Sequence, residues 1–128
     1  NIDFYSMQKG DPAESELLLK KELLWPEIIN VAYLLDDFAD TAALIDCLDL
    51  IISVDTSTAH LAGALGKPVW LMNRYDSCWR WLRGRIDSPW YPTMRIYQQT
   101  QPGNWAGVIE TIRADLTDLI GRRKNIGN

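Results

Sequence analysis

Short apolar runs alternate along the chain with longer segments in which apolar residues recur at helical spacing. Runs rich in apolar and β-branched residues predict buried strands, and apolar residues three and four positions apart predict amphipathic helices. The predicted strands cover residues 2–7, 28–35, 48–54, 68–72 and 94–98, and the predicted helices cover residues 13–24, 41–47, 57–65 and 105–120. Because strands alternate with helices across short links, we predict an α/β fold, a Rossmann-like, doubly wound parallel sheet of about five or six strands.

Local signals mark the ends of the predicted helices. Pro26 ends the first helix, because proline disfavours helical geometry in the residue before it. Asp40 is expected to cap the N-terminus of the second helix, and Gly66 stands where a glycine stop ends the third. The basic, glycine-containing end of the chain is expected to fray. We therefore predict one folded domain over residues 1–121 and a disordered tail over residues 122–128.

The composition is that of a globular domain, with 47% apolar and 23% charged residues in a chain of 128. The net charge of −4 argues against a nucleic-acid partner, since nucleic-acid-binding domains usually carry a basic face. Cys47 and Cys78 are far apart in sequence, which favours free thiols and a cytoplasmic location. No apolar run approaches the roughly 18 residues of a membrane helix, and the N-terminus has no signal-peptide pattern.

Two further features limit what the chain can be. It begins at Asn1 and enters a strand-like segment almost at once, so we expect it to be a piece of a longer protein. One histidine and two distant cysteines are too few ligands for a metal site, so we predict no metal.

The most informative string places Asp55, Thr56, Ser57, Thr58 and His60 where a strand ends and a helix begins. Ligands of open parallel sheets bind at the carboxyl ends of the strands, and the free N–H groups of a helix N-terminus favour an anion such as phosphate. Two interpretations stay open on these residues alone. The cluster either binds an anion, or its polar side chains merely cap the helix while the histidine packs in the core.

The same string resembles a known family. DTSTAHLA at residues 55–62 is similar to the Asp-Thr-x-x-x-His-Leu signature of glycosyltransferase family 9, the heptosyltransferase-like enzymes. GALGKPVW at residues 63–70, SPWYP at residues 88–92 and PGNW at residues 102–105 resemble bacterial members fused to tetratricopeptide repeats. The resemblance covers nearly the whole chain, as the C-terminal half of a two-domain GT-B fold.

The resemblance implies a binding site for a nucleotide-diphosphate sugar, which is a donor substrate, so no cofactor is expected. It implies that Thr56, Ser57, Thr58 and His60 line the diphosphate, and that Asp55 shapes the turn. Family members often have glycine and leucine where this chain has Ser57 and Thr58.

Three residues of the first third of the chain complete the expected site. The resemblance carries Lys9 over as a diphosphate ligand, whereas the residue alone reads as an exposed lysine. Asp36 and Asp37 follow the second strand, where GT-B domains receive base and ribose, and a carboxylate accepts hydrogen bonds from ribose hydroxyls. Solvated loop carboxylates are an equal alternative for this pair.

A stretch rich in arginine and aromatic residues follows the fourth strand, between residues 73 and 92. Its members are Arg74, Tyr75, Trp79, Arg80, Trp81, Arg83, Arg85, Trp90 and Tyr91. Arginine beside tryptophan is compatible with binding a sugar or single-stranded nucleic acid. The alternative is that the stretch covers the edge of the sheet or meets a missing N-terminal domain.

The resemblance implies that the longer parent transfers a glycosyl group from a nucleotide sugar to an acceptor, and that the acceptor and the general base come from its N-terminal domain. The catalytic base is therefore unassigned here, and we expect this chain alone to bind nucleotide weakly and to transfer nothing. Two rivals are a non-enzymatic nucleotide-binding or scaffolding module and half of a sugar-nucleotide epimerase. The sequence leaves open the base and sugar of the donor, the acceptor and the oligomeric state.

Overall fold

Helices and parallel strands alternate along the chain, so the predicted α/β class is confirmed. A computed structural model describes residues 2–10, 12–76 and 86–126. Its strands are β1 (Tyr5–Ser6), β2 (Ile29–Asn30), β3 (Ile51–Val54), β4 (Val69–Asn73) and β5 (Met94–Gln98), and its helices are α1 (Ala13–Leu24), α2 (Phe38–Cys47), α3 (Ser57–Ala64) and α4 (Ala106–Ile126).

The chain divides into two compact units, Asn1–Ala43 (unit 1) and Leu44–Asn128 (unit 2). In unit 1, β1 and β2 form a two-stranded parallel sheet in which Tyr5 pairs with Ile29. In unit 2, β3, β4 and β5 form a three-stranded parallel sheet in that order. The strands described thus fall within the predicted number, but they form two sheets rather than one.

The core of unit 2 lies around the central strand β4. Val69 and Leu71 are fully buried, and Trp70 and Met72 between them are half-buried, which is the alternation of a strand covered on both faces. Helix α3 contacts β3 and β4, and α4 contacts β5. The cluster that joins α4 to the sheet consists of buried Tyr97, Val108 and Ile112 with half-buried Ile52, Trp70, Met72 and Trp105.

Unit 1 has a smaller core, and its helix α1 has the predicted bounds. Leu17 is half-buried, whereas Leu18 and Leu19 are 62% and 77% exposed. Successive residues turn by about 100° around a helix, so three consecutive leucines cannot all face one side. Among the residues of unit 1 whose burial the structure describes, the buried apolar ones are Ile28, Val31, Ala32 and Leu35.

The first two strands are shorter than predicted. A 3-10 helix over Ala32–Leu34 occupies the second half of the predicted strand at residues 28–35. Asn30 Oδ1 accepts a hydrogen bond from the N–H of Ala32 at 3.1 Å, which turns the chain away from the sheet. Burial of this segment was predicted correctly only for Ile28, Val31, Ala32 and Leu35, whereas Ile29, Tyr33 and Leu34 are exposed. Apolar composition alone does not specify extended backbone.

Helix α2 begins at Phe38, three residues before its predicted start, and the prediction that Asp40 caps it is wrong. The capping residue is Asp37, whose Oδ1 accepts the N–H of Asp40 at 2.8 Å. Asp40 Oδ2 in turn accepts the N–H of Asp36 at 3.1 Å. The two carboxylates satisfy donors on either side of the helix start, as in a capping box.

Helix α4 continues to Ile126, into the segment where we expected a disordered tail. The pair Arg122–Asp118, with 2.7 Å between Nη2 and Oδ2, is spaced by one helical turn. Arg123 and Lys124 in the last turn also favour helix, because cations stabilise the negative end of the helix dipole. Among the described residues, no helix is both long and apolar enough to cross a membrane.

Tyr97 anchors α4 to the sheet through a polar contact within the apolar cluster. Its hydroxyl donates to Asp115 Oδ2 at 2.8 Å, and Arg95 Nη1 lies 3.0 Å from the same oxygen. The Arg95 guanidinium also lies over the Tyr97 ring, 4.9 Å from its centre. Burial, and the hydrogen bond to Asp115, raise the pKa of Tyr97 above its ordinary value, whereas the charge of Arg95 opposes this shift.

Replacing Tyr97 with phenylalanine is expected to lower the free energy of unfolding by about 1 kcal/mol near pH 8, because one hydrogen bond is lost. A raised pKa means that the folded state favours the protonated phenol. Its contribution is therefore complete below about pH 10 and is lost as the pH rises above that value. Urea unfolding of the two proteins should show that the difference between their free energies of unfolding is smaller at about pH 10.5 than at about pH 8. A difference that stays constant would contradict the prediction.

Candidate functional site

The turn between β3 and α3 leaves the N-terminus of α3 without a side-chain cap. Thr56 is the N-cap residue and has extended backbone, with φ −137° and ψ 170°, but its side chain makes no capping hydrogen bond. Instead Thr56 Oγ1 lies 3.2 Å from Ser53 Oγ, and Ser53 donates its own proton to the Val54 carbonyl at 2.8 Å. Since Ser53 has one hydroxyl proton, Thr56 is the donor of the bond between the two hydroxyls.

The first backbone N–H groups of α3 therefore have no capping bond from Thr56. The first intrahelical bond of α3 runs from the N–H of His60 to the carbonyl of Thr56 at 3.3 Å. The earlier N–H groups, beginning with Ser57, have no carbonyl within the helix to bond. The first turn of α3 contains no acidic residue that would neutralise the positive end of the helix dipole.

An open depression of about 430 Å³ lies at this helix start. Asp55, Thr56, Ser57 and His60 line it. Four of the five residues predicted for the strand–helix turn therefore share one surface. The fifth, Thr58, lies in the first turn of α3 and is half-buried.

His60 bridges two groups at the wall of the depression. Its Nε2 lies 3.3 Å from Asp55 Oδ1, and its Nδ1 lies 3.1 Å from Tyr91 Oη. The His60 and Asp55 side chains are 30% and 31% exposed, so the alternative of a histidine packed in the core is wrong. Both residues are accessible from the depression while their polar atoms contact each other.

Tyr91 is part of this site although the sequence did not indicate its role. Its ring lies against α3 at Gly63, where a Cβ atom would stand 2.7 Å from Tyr91 Cγ. Ser88 Oγ accepts the N–H groups of Trp90 and Tyr91, at 3.1 and 3.3 Å, and so holds the turn that presents the ring. The glycine at position 63, within a helical pattern, was a sign that something packs closely on α3, but it does not identify Tyr91.

The carboxyl ends of β4 and β5 lie on the same edge of the sheet, beside β3, and amide side chains tie them together. Asn73 Nδ2 donates to Gln98 Oε1 at 2.8 Å, and Gln98 Nε2 donates to the Arg74 carbonyl at 2.5 Å. Gln99 Oε1 accepts the N–H of Tyr75 at 2.9 Å. The start of the loop after β4 is therefore held by β5.

The remaining predicted site residues, Lys9, Asp36 and Asp37, lie in unit 1. Lys9 Nζ donates to the carbonyl of Leu35, so Lys9 lies at the start of the loop that contains Asp36 and Asp37. Asp37 is the cap of α2, which is the structural role its carboxylate plays here. Asp36 is exposed, and its N–H donates to Asp40.

Part of the arginine- and tryptophan-rich stretch lies outside the described residues. Those positions are Trp79, Arg80, Trp81, Arg83 and Arg85. Cys78 is also outside the described residues. Of the rest, Trp90 and Tyr75 are exposed, and Tyr91 is the member that contacts the site.

Part of the chain is similar to a known family. Residues 20–72 match the profile of glycosyltransferase family 9 (heptosyltransferase). The matched segment runs from within α1 to β4 and contains the β3–α3 turn with its depression. The resemblance to glycosyltransferase family 9 is thereby confirmed.

The chain is also similar to a curated protein. Protein FlbA of Caulobacter vibrioides is 35% identical to the chain over 123 residues, which are 92% of this chain and 20% of FlbA. The chain thus spans about a fifth of the length of the relative it matches. No solved structure matches the chain.

Proposed function

We propose that the chain is the donor-binding half of a glycosyltransferase and that the depression at the β3–α3 turn binds the diphosphate of a nucleotide sugar. The observation that carries this proposal is the uncapped start of α3, where Thr56 turns its hydroxyl to Ser53 and leaves the helix donors open. It lies within the segment that matches glycosyltransferase family 9. Outward N–H groups and the helix dipole together favour a bound anion.

The chemistry of glycosyl transfer explains why such donors are needed. When the bond between the sugar carbon and the diphosphate oxygen breaks, the nucleoside diphosphate leaves with additional negative charge. Backbone N–H groups of the helix start and the hydroxyl of Ser57, which lines the depression, are proposed as donors that stabilise this charge as it develops. Thr58, in the same turn of the helix, is proposed as a further donor. The proposed site therefore stabilises the departing nucleoside diphosphate and does not activate the attacking acceptor.

Within unit 1, Lys9 is proposed as a diphosphate ligand, and Asp36 and Asp37 as acceptors for ribose hydroxyls. An ammonium group has three N–H donors, so the bond from Lys9 to the Leu35 carbonyl leaves donors for a phosphate. The exposed carboxylate of Asp36 is better suited to ribose than that of Asp37, which caps α2.

The full-length parent is proposed to be a bacterial, cytoplasmic transferase of the type fused to tetratricopeptide repeats. Its N-terminal GT-B domain would be the partner of this chain and would supply the acceptor site and the general base. This chain alone is therefore expected to bind nucleotide weakly and to transfer no sugar. An assay with radiolabelled donor sugars would contradict this if the isolated chain glycosylated an acceptor.

A titration with UDP, ADP, GDP and CDP, followed by backbone amide NMR, tests the donor site. Shifts are expected at Lys9 and at residues 56–60, and one base is expected to be preferred. The preferred diphosphate should bind at least about tenfold more tightly than its nucleoside, because charged hydrogen bonds contribute roughly 1.5 kcal/mol or more. Absence of shifts at millimolar diphosphate would contradict the proposal and favour a non-enzymatic scaffolding module.

A further inference from the structure

We propose that Tyr91 is a positioning residue for His60. The Tyr91 hydroxyl donates to Nδ1 and, together with Asp55 at Nε2, fixes the orientation of the imidazole at the proposed donor site. The importance of this contact for binding rests on the proposed function. The contact itself is a property of the fold and can be tested without any ligand.

The hydrogen-bond pattern assigns the tautomer. A carboxylate only accepts hydrogen bonds, so the contact of 3.3 Å between His60 Nε2 and Asp55 Oδ1 requires the proton on Nε2. In a neutral imidazole the other nitrogen is then an acceptor. Tyr91 must therefore donate its hydroxyl proton to His60 Nδ1 across the 3.1 Å contact.

Tyr91 is itself held firmly enough to orient its partner. Its ring packs against α3 at Gly63 and meets the His60 ring edge to face, with 5.8 Å between centres and 65° between planes. Its N–H is held by Ser88, and its carbonyl accepts the N–H of Met94 at 3.1 Å. The hydroxyl is thus fixed by the strand β5 on one side and by the helix α3 on the other.

The chain of contacts has a consequence for the charge of the depression. Among the described residues that line it, Asp55 is the only acid, and a carboxylate turned toward a diphosphate would repel it. The His60 Nε2–H holds this carboxylate, and Tyr91 holds His60. By orienting His60, the Tyr91 hydroxyl therefore helps to keep the Asp55 carboxylate hydrogen-bonded to His60 instead of turned toward the diphosphate.

The first test needs no ligand and uses Tyr91→Phe, which keeps the ring and removes the hydroxyl. The chain has a single histidine, so its imidazole signals in a long-range proton–nitrogen NMR spectrum belong to His60 alone. The wild-type protein is expected to show the Nε2–H tautomer, with the Nδ1 signal displaced by the hydrogen bond that Nδ1 accepts. Tyr91→Phe should keep the tautomer, which Asp55 imposes, and lose this displacement of the Nδ1 signal. Tyr33→Phe, at a 73% exposed tyrosine, is the matched control and should leave the spectrum unchanged. An unchanged spectrum in Tyr91→Phe would overturn the proposal.

The second test measures binding of the preferred nucleoside diphosphate. Tyr91→Phe should weaken it about fivefold, the effect of one lost neutral hydrogen bond. In a His60→Ala background the same substitution should have no further effect, because Tyr91 acts through His60. An equal loss in both backgrounds overturns the positioning role. If the wild-type protein binds no diphosphate, the proposed function fails, and the Nδ1 signal of His60 still decides the role of Tyr91.

Discussion

Replacing Ser57 with aspartate is expected to weaken nucleoside diphosphate binding about a hundredfold while slightly raising thermal stability. The first turn of α3 has no acid, and a carboxylate there stabilises the helix dipole by about 0.3–1 kcal/mol. The same carboxylate would stand in the depression that we assign to the diphosphate. Two charges about 4 Å apart near a protein surface repel by up to roughly 4 kcal/mol before screening, and about 2.7 kcal/mol of it gives the hundredfold loss.

The opposite signs of the two effects separate an anion site from an ordinary helix cap. Ser57→Asn adds a similar side chain without charge and should change binding much less than aspartate does. Ala106→Asp places an acid in the first turn of α4, which also lacks one, and should stabilise the fold without loss of binding. Calorimetric titration of the three variants measures their affinity for the diphosphate, and thermal unfolding measures their stability. Wild-type affinity in Ser57→Asp would show that the diphosphate does not bind at this helix start.

The elements that the sequence predicted well are those with strong local determinants. Helix α1 has the predicted bounds at residues 13–24, and β5 has the predicted bounds at residues 94–98. Helix α3 begins at Ser57 as predicted and is followed by Gly66 with φ +74°, the left-handed backbone that a glycine stop provides. In each case charge spacing, an apolar run or a glycine within the element itself was sufficient.

The elements that were predicted less well depend on partners far away in sequence. Strands β1 and β2 contain two residues each, because strand length is set by how far two backbones stay paired and not by apolar composition. The start of α2 depended on which of two neighbouring aspartates caps it. Asp37 and Asp40 are equivalent in propensity, and the fold uses them at either end of the same turn.

The same division holds for the candidate site. The residues of the β3–α3 turn are contiguous in sequence, so a single string was enough to bring Asp55, Thr56, Ser57 and His60 together. Tyr91 lies 31 residues from its partner His60, and a single sequence contains no pattern that pairs them. The sequence of the turn also did not predict that Thr56 bonds to Ser53 instead of capping α3. Threonine can do either, and the backbone geometry of the turn decides between them.

Gly63 links the packing of unit 2 to the proposed site, because the Tyr91 ring that contacts His60 packs against it. Gly63→Ala is expected to lower the free energy of unfolding by about 1–2 kcal/mol. The added Cβ would stand 2.7 Å from Tyr91 Cγ and 2.9 Å from Tyr91 Cδ1, so the ring must move. Overpacking costs about 1–3 kcal/mol, and the better helix propensity of alanine offsets up to about 1 kcal/mol of it. The displaced ring should also weaken the contact with His60.

A matched substitution and a double variant test whether Tyr91 is the cause. Gly121→Ala in α4 meets no atom within 4 Å, so it should raise stability by up to about 1 kcal/mol through helix propensity alone. In a Tyr91→Ala background the obstacle at Gly63 is gone, and Gly63→Ala should change from destabilising to stabilising. Urea unfolding of the four proteins of this cycle measures the coupling between the two positions. Equal effects of Gly63→Ala in both backgrounds would mean that Tyr91 does not rest on α3, and the positioning of His60 by Tyr91 would lose its structural basis.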